Sequence, residues 1–151
     1  MNSSAKAAPN TPAILKMLEI YAGAFAEHEA ARRQEMLTRC LAPDAAIWGH
    51  SHVFAGYAAI SEKIAGFQQN FPDCRLTLAS GLFAFDNIVR FATAIVGPDG
   101  SVRARGETVM EFADDGRIRR VVPLWDMKLP PLRDGWPERL AGPPANSPDA
   151  A

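Results

Sequence analysis

Three turn signals divide the second half of the chain, and they constrain the fold more than any other feature. They are DN at 86–87, PDG at 98–100 and DDG at 114–116, and the stretches between them are rich in β-branched and aromatic residues. Short strands joined by tight turns are typical of an antiparallel meander. We therefore predict four antiparallel strands from Cys74 onward.

The first half of the chain has helical periodicity instead. Thr11 followed by Pro12 is a typical helix start, and apolar residues recur at helical spacing over 14–25, 32–41 and 57–71. The segment between the second and third helices, 45–56, indicates short extended pieces around a turn. We expect an α+β fold in which three N-terminal helices pack on a strongly curved antiparallel sheet, forming a cone with an internal pocket.

Length and charge limit the domain count and the partners. A chain of 151 residues fits one domain, which we place at 11–130, between a flexible N-terminus at 1–10 and a Pro/Ala-rich tail at 131–151. With 16 basic and 17 acidic residues and no long basic run, nucleic acid is not an expected partner. Neither a signal peptide nor a membrane-spanning apolar stretch is recognisable, so we expect a cytoplasmic protein.

The two cysteines, Cys40 and Cys74, have neither metal-ligand nor redox-motif spacing. We expect both to be free, buried thiols. The sequence predicts no metal and no other cofactor.

The turn at 114–116 sets which strand residues share a face, because a shift of one residue moves every side chain to the other side. If Gly116 is left-handed in a three-residue loop, Phe112 faces Ile118. The same loop at 98–100 puts small residues around Asp126, which either let a helix approach closely or leave room for a ligand. A bulge at Pro123 would reverse Asp126. The predicted pocket face consists of Arg90, Ala92, Ala94, Ala104, Gly106, Thr108, Val122, Leu124 and Asp126.

The opposite face of the predicted sheet is also apolar. We expect it to be the outer face and to be covered by a second copy of the chain, in a homodimer. Its predicted members are Val89, Phe91, Thr93, Ile95, Val109, Val121 and Trp125.

Four segments together carry a family resemblance, over roughly residues 12–130. They are LKMLEIYAGAFAEHE, LAPDAAIWG, FAGYAAISEKIAGFQQNFPD and GETVMEFADDGRIRRVVPLWD. With them the chain resembles the SnoaL-like branch of the nuclear-transport-factor-2-like superfamily. The resemblance implies a cone-shaped fold, frequent dimers and a cofactor-free pocket between helices and sheet. The strand RFATAI lacks the arginine-x-aspartate pair of limonene epoxide hydrolase, and the base of ketosteroid isomerase has no counterpart here.

Two residues are candidates for catalysis. Asp126 follows the last long strand, where the resemblance implies an acid or base; otherwise it is a strand-end carboxylate bound to backbone groups or to Arg105. His50 resembles a residue near the pocket mouth and would shuttle a proton or orient the substrate. The alternative for His50 is an exposed turn histidine.

Seven further residues are candidates for substrate binding. Arg90 would bind a substrate carboxylate or enolate, or else be held by an acidic side chain. The aromatic candidates, of which Trp48 is also implied by the resemblance, would line the pocket or form plain core. These seven are Tyr21, Trp48, Phe54, Phe67, Arg90, Thr108 and Leu124.

Two functions fit these expectations. One is an isomerase, cyclase or dehydratase that acts on a mostly apolar carbonyl-containing or cyclic small molecule by proton transfer. The other is a non-catalytic ligand-binding or assembly domain of the same fold.

Overall fold

The structure is a computed structural model, and it describes residues 11–125. The predictions for 1–10, for Asp126 and for the tail lie outside these residues. The helices are α1 (Thr11–Ala26), α2 (Ala30–Cys40) and α3 (Gly56–Asn70). The strands are β1 (Leu41–Trp48), β2 (Val53–Ala55), β3 (Arg75–Leu78), β4 (Phe83–Phe85), β5 (Ile88–Val96), β6 (Val102–Phe112) and β7 (Ile118–Trp125).

The seven strands form one curved, open sheet in the order β2-β1-β7-β6-β5-β3, with β4 also beside β5. The expected α+β cone is confirmed, and so is the antiparallel meander of β5, β6 and β7. The first strand of the predicted meander is two short strands, β3 and β4, which pair with different parts of β5. The sheet is mixed rather than purely antiparallel, because β1 runs parallel to β7.

The loops of the β5–β6 and β6–β7 hairpins both have the predicted three-residue form. Gly116 and Gly100 have φ angles of 85° and 81°, a conformation that glycine adopts without the steric cost of a side chain. The Ala113 N–H donates to the Arg117 carbonyl at 2.8 Å. Phe112 is therefore opposite Ile118, as predicted.

Each hairpin then contains one extra residue just beyond its loop. In the β5–β6 hairpin it is Arg103, and in the β6–β7 hairpin it is Arg119. Beyond these bulges the partners are displaced by one position, so that Thr108 pairs with Pro123 and not with Val122. The bulge in β7, which the sequence allowed at Pro123, lies at Arg119 instead.

The two bulges overturn the predicted assignment of faces. The concave face, which packs toward the helices, carries most of the residues expected on the outer face. Of the predicted pocket face, Ala104, Gly106 and Thr108 remain on the concave side. The residues that move to the outer side are Arg90, Ala92, Ala94, Val122 and Leu124.

Gly106 has a role in strand packing rather than in making space. A Cβ atom at this position would lie 2.6 Å from the Leu124 carbonyl oxygen and 2.7 Å from the Trp125 Cα. Glycine is thus required by the close approach of β7, and the expectation that Gly106 leaves room for a ligand is wrong.

The core lies between the helices and the concave face, where side chains such as Leu37, Ile60 and Ile64 are fully buried. Arg33 of α2 is 5% exposed and connects all three helices. Its Nε donates to Ser61 Oγ at 2.9 Å, and its Nη1 donates to the Glu27 carbonyl, just after α1, at 3.0 Å.

Cys40 and Cys74 are both buried and free, as expected. Within 11–125, every helix is too short or too polar to span a membrane.

Candidate functional site

A cavity of about 470 Å³ lies between α1, α3 and the concave face of the sheet. Cavities of this size hold small organic molecules. Its walls are mostly aliphatic and aromatic. The helical side contributes Leu18, Tyr21, Ala22, Phe25, Glu62, Lys63, Gly66, Phe67 and Asn70, and the segments after it add Phe71, Leu76, Thr77 and Leu78. The remaining lining residues are Ile47, Phe54, Phe91, Thr93, Ile95, Thr108, Met110, Val121, Pro123 and Trp125.

Four aromatic side chains form one wall. Tyr21 and Phe25, one turn apart on α1, meet edge to face with centroids 5.2 Å apart, and Phe25 meets Phe67 in the same way at 5.2 Å. Phe67 stacks on Phe71 at 5.4 Å. Aromatic pairs in these geometries hold one another in fixed orientations, so this wall is preformed.

The Tyr21 hydroxyl has no hydrogen-bond partner among residues 11–125. Within that range, every side-chain polar atom that is sealed from solvent has a hydrogen-bond partner. The unpartnered Tyr21 hydroxyl is therefore not sealed, and it opens onto the cavity that Tyr21 lines. Burial, together with the nearby Cys40 thiol, raises the pKa of Tyr21. A tyrosine hydroxyl is protonated at neutral pH even without this shift, so it can donate a hydrogen bond to a ligand.

Thr93 and Thr108 form a hydroxyl pair on the concave face. They are 3% and 4% exposed, and their Oγ1 atoms are 2.7 Å apart. One hydroxyl donates to the other, so the pair keeps one hydroxyl hydrogen without a partner in the described chain. That hydrogen is available to an oxygen or nitrogen acceptor of a ligand.

Lys63 is the only basic side chain among the described residues that line the cavity. Its Nζ lies 5.4 Å from the centroid of the Phe54 ring, a cation–π geometry. It forms no ion pair with any described carboxylate, including that of Glu62 beside it on α3. Burial lowers its pKa.

Gly66 lies in the middle of α3 and lines the cavity. A Cβ atom there would meet nothing within 4 Å, so no neighbour requires glycine at this position. Glycine inside a helix costs roughly 0.5–1 kcal/mol relative to alanine. The cavity is thus kept open at a cost in helix stability.

The SnoaL-like domain family model matches residues 21–121, a range that contains α2, α3 and most of the sheet. The chain belongs to the SnoaL-like domain family. The comparison with curated proteins returned no match.

Solved structures share this SnoaL-like fold. A proposed isomerase of the SnoaL-like family from Agrobacterium tumefaciens has 27% sequence identity, covers 77% of this chain and 99% of its own, and has a TM-score of 0.69. A proposed SnoaL-like polyketide cyclase from a Jannaschia species has 14% identity, with 76% and 86% covered and a TM-score of 0.62. A protein with the cystatin-like fold from Methylobium petroleophilum has 18% identity, with 82% and 80% covered and a TM-score of 0.61. The last two similarities concern the fold alone.

The SnoaL-like cavity brings together four of the predicted substrate-binding residues. Tyr21, Phe54, Phe67 and Thr108 all line it. Their positions follow from helical spacing, from the short β2 strand and from β6. Whether they bind substrate stays a prediction.

Arg90 and Leu124 lie outside this SnoaL-like cavity. Arg90 is on the outer face, where its guanidinium donates two hydrogen bonds of 2.9 Å to the carboxylate of Glu107. The predicted inward orientation is wrong because Arg103 is bulged; the alternative, that an acidic side chain holds Arg90, is correct. Leu124 is 51% exposed on the same outer face.

Trp48 and His50 are not among the residues that line the cavity. Ile47 takes the cavity side of β1, so Trp48 is 47% exposed, with Arg120 over its ring at 5.7 Å. His50 is exposed in the turn between β1 and β2. Asp126 lies outside the described residues, directly after the lining residue Trp125. The roles of His50 and Asp126 stay predictions.

Sequence reasoning missed Lys63 and put Thr93 on the wrong face. Lys63 precedes Phe67 and Asn70 by four and seven residues, a spacing that places all three on one face of α3. This helical spacing could have identified Lys63 as a lining residue from the sequence. The face of Thr93 depends on the Arg103 bulge, for which no local signal was evident.

The described residues contain no group of three or more His, Cys, Asp and Glu side chains that could hold a metal ion.

Proposed function

We propose that this SnoaL-like domain binds a mostly apolar carbonyl-containing or cyclic small molecule in its cavity. We further propose that it rearranges this molecule by acid-base catalysis, as an isomerase, cyclase or dehydratase without a cofactor. The observation that carries the proposal is a preformed apolar cavity with free hydroxyl hydrogens at Tyr21 and at the Thr93–Thr108 pair. Two of the solved structures are named as a proposed isomerase of the SnoaL-like family and a proposed SnoaL-like polyketide cyclase. These names support the proposed reaction class.

The cavity hydroxyls would bind the ligand's oxygen. A carbonyl oxygen gains negative charge when a proton is removed from the neighbouring carbon, and a neutral donor that is already oriented stabilises this charge. Tyr21 is such a donor, because a tyrosine hydroxyl is neutral and protonated at neutral pH. The proton itself would be moved by Asp126, with His50 as the second candidate.

The test begins with the ligand. Purified protein is incubated with a cell extract, washed, and the retained small molecules are identified by mass spectrometry and assayed for conversion. Asp126→Asn and Tyr21→Phe should both lower turnover, while Tyr21→Phe should also weaken binding. Glu111→Gln, on the outer face, is the control and should leave turnover unchanged. Unchanged turnover in Asp126→Asn rejects its assigned role.

Non-catalytic ligand binding is the second candidate. One observation favours it: within 11–125, the ionisable side chains that line the cavity are only Tyr21, Glu62 and Lys63, and the Tyr21 hydroxyl stays protonated at neutral pH. A retained compound that binds tightly but is never converted, by wild type or by Asp126→Asn, supports this second function.

The outer face is the proposed homodimer surface. Most of the residues first expected there lie on the concave side, but the true outer face exposes other apolar side chains. Phe83 and Leu124 are large examples, and Phe85 and Ile88 pair with each other close to Phe83. Leu124→Glu should convert a dimer into a monomer in light scattering, and a monomeric wild type would contradict the proposal.

A further inference from the structure

Lys63 contributes a cationic group to the wall of the cavity. Lys63 and Phe54 both line the cavity, and the ammonium lies over the Phe54 ring. Phe54 comes from β2 and Lys63 from α3, so two separate elements fix the position of this cation. One face of the ammonium meets the ring, and its N–H donors form no hydrogen bond with residues 11–125, so they are available to a ligand.

The charge of Lys63 has no counter-ion in the described chain. Several arginines elsewhere in it are paired with carboxylates, as Arg90 is with Glu107 and Arg120 with Glu111. Lys63 forms no such pair, although it is partly withdrawn from water. A cation in this situation is less stable than one in bulk water unless an anion accompanies it.

We propose that the cavity ligand is an amphipathic carboxylate, whose carboxylate group binds the Lys63 ammonium and whose apolar body fills the space beside Gly66 and Phe67. The inference rests on the proposed small-molecule cavity and names the class of its ligand. A single ammonium matches the single charge of a carboxylate. A phosphate group carries roughly −1.5 to −2 at neutral pH, which one ammonium neutralises only in part.

Among residues 11–125, the other charged side chain that lines the cavity is Glu62, which is exposed. Water screens its repulsion of a ligand anion. The apolar wall of Phe25, Phe67 and Phe71 disfavours a second charged group on the ligand. The ligand should therefore carry its charge at one end only.

The experiment measures binding of matched acid and amide probes by calorimetry. The probes are 2-naphthoate with 2-naphthamide, and decanoate with decanamide. Within each pair the apolar body is the same and only the charge differs. The proteins are wild type, Lys63→Met, Lys63→Gln, Lys63→Arg and the control Lys16→Met, which changes an exposed lysine of α1 that does not line the cavity.

We expect wild type and Lys16→Met to bind at least one carboxylate roughly tenfold more tightly than its amide, the size expected of a charge-assisted hydrogen bond. Lys63→Met and Lys63→Gln should lose that preference while binding the amide as before. Amide binding also reports that the cavity of each variant is intact. Lys63→Arg should keep the preference.

Two results overturn the inference while leaving the cavity proposal standing: wild type binds acid and amide equally, or the Lys63 variants weaken both alike. If wild type binds no member of either pair, this inference and the proposed small-molecule cavity are both overturned.

Discussion

The hydroxyl oxygens of Thr93 and Thr108 are 2.7 Å apart on neighbouring strands, inside a cavity with mostly apolar walls. The residues are diagonal neighbours, since Thr108 pairs with Phe91 and Thr93 pairs with Gly106. The contact exists because the bulge at Arg103 brings both threonines to the concave face.

The threonine pair predicts a non-additive pair of substitutions. Thr93→Val or Thr108→Val alone leaves one buried hydroxyl without its partner, which should lower the free energy of unfolding by about 1–2 kcal/mol. The double variant removes both hydroxyls and should lose less than the sum, with a coupling of roughly 1 kcal/mol. Urea unfolding of wild type, the two single variants and the double variant measures this coupling. Strict additivity would show that the two hydroxyls do not interact.

Gly66→Ala should stabilise the domain. The new methyl group meets no atom within 4 Å, and alanine is a better helix former than glycine by roughly 0.5–1 kcal/mol. Thermal unfolding should show a higher midpoint. Gly106→Ala is the contrasting control and should destabilise, because its methyl group would collide with the β7 backbone. A destabilised Gly66→Ala would contradict the open space described at this position.

Arg33 and Arg32 are adjacent but should differ strongly in their effect on stability. Arg33→Met removes buried hydrogen bonds to Ser61 and to the Glu27 carbonyl, which should cost about 2–4 kcal/mol. Arg32→Met removes only an exposed contact with Glu29, and should change stability little. Equal effects in chemical unfolding would contradict the structural role of Arg33.

Stability should fall in alkaline solution, partly because of Cys40. Burial raises the pKa of this thiol from its ordinary 9.0 to about 12. The unfolded chain therefore loses the proton before the folded chain does. This contribution is fully present below pH 9.0 and is lost as the pH rises toward 12. Tyr21, whose pKa is also raised, likewise lowers stability as the pH rises. Lys63, whose pKa is lowered, raises stability as the pH rises.

Cys40→Ala tests this directly, with unfolding measured under reducing conditions at several pH values. Above pH 9.0, wild-type stability should fall more steeply than that of the variant, by up to about 1.4 kcal/mol per pH unit. Parallel curves for the two proteins would show that the thiol ionises equally in both states.

Local chemistry made much of the fold predictable. Gly100 and Gly116 follow residues that favour turns, and both loops formed with the expected left-handed glycine. Helical spacing placed Tyr21 and Phe67 on faces that line the cavity. These predictions succeeded because each depends on residues close together in sequence.

The face assignment failed because it depended on single-residue bulges. Both sides of β5 carry apolar residues, so hydrophobic pattern did not reveal the displacement at Arg103 or Arg119. One displaced residue moved Arg90 to the outer face and Thr93 to the inner one. The parallel pairing of β1 with β7 joins distant segments, and no turn signal encodes it.

The central claim is that a small molecule occupies the cavity beside α3. The most direct measurement is the affinity of the compound retained from a cell extract for wild type, Gly66→Leu and Ala58→Leu. Gly66→Leu fills the open space, whereas Ala58→Leu adds the same side chain at an exposed position on the same helix. We predict that Gly66→Leu weakens binding at least roughly tenfold and that Ala58→Leu leaves it unchanged. Wild-type affinity in a folded Gly66→Leu protein would contradict the account.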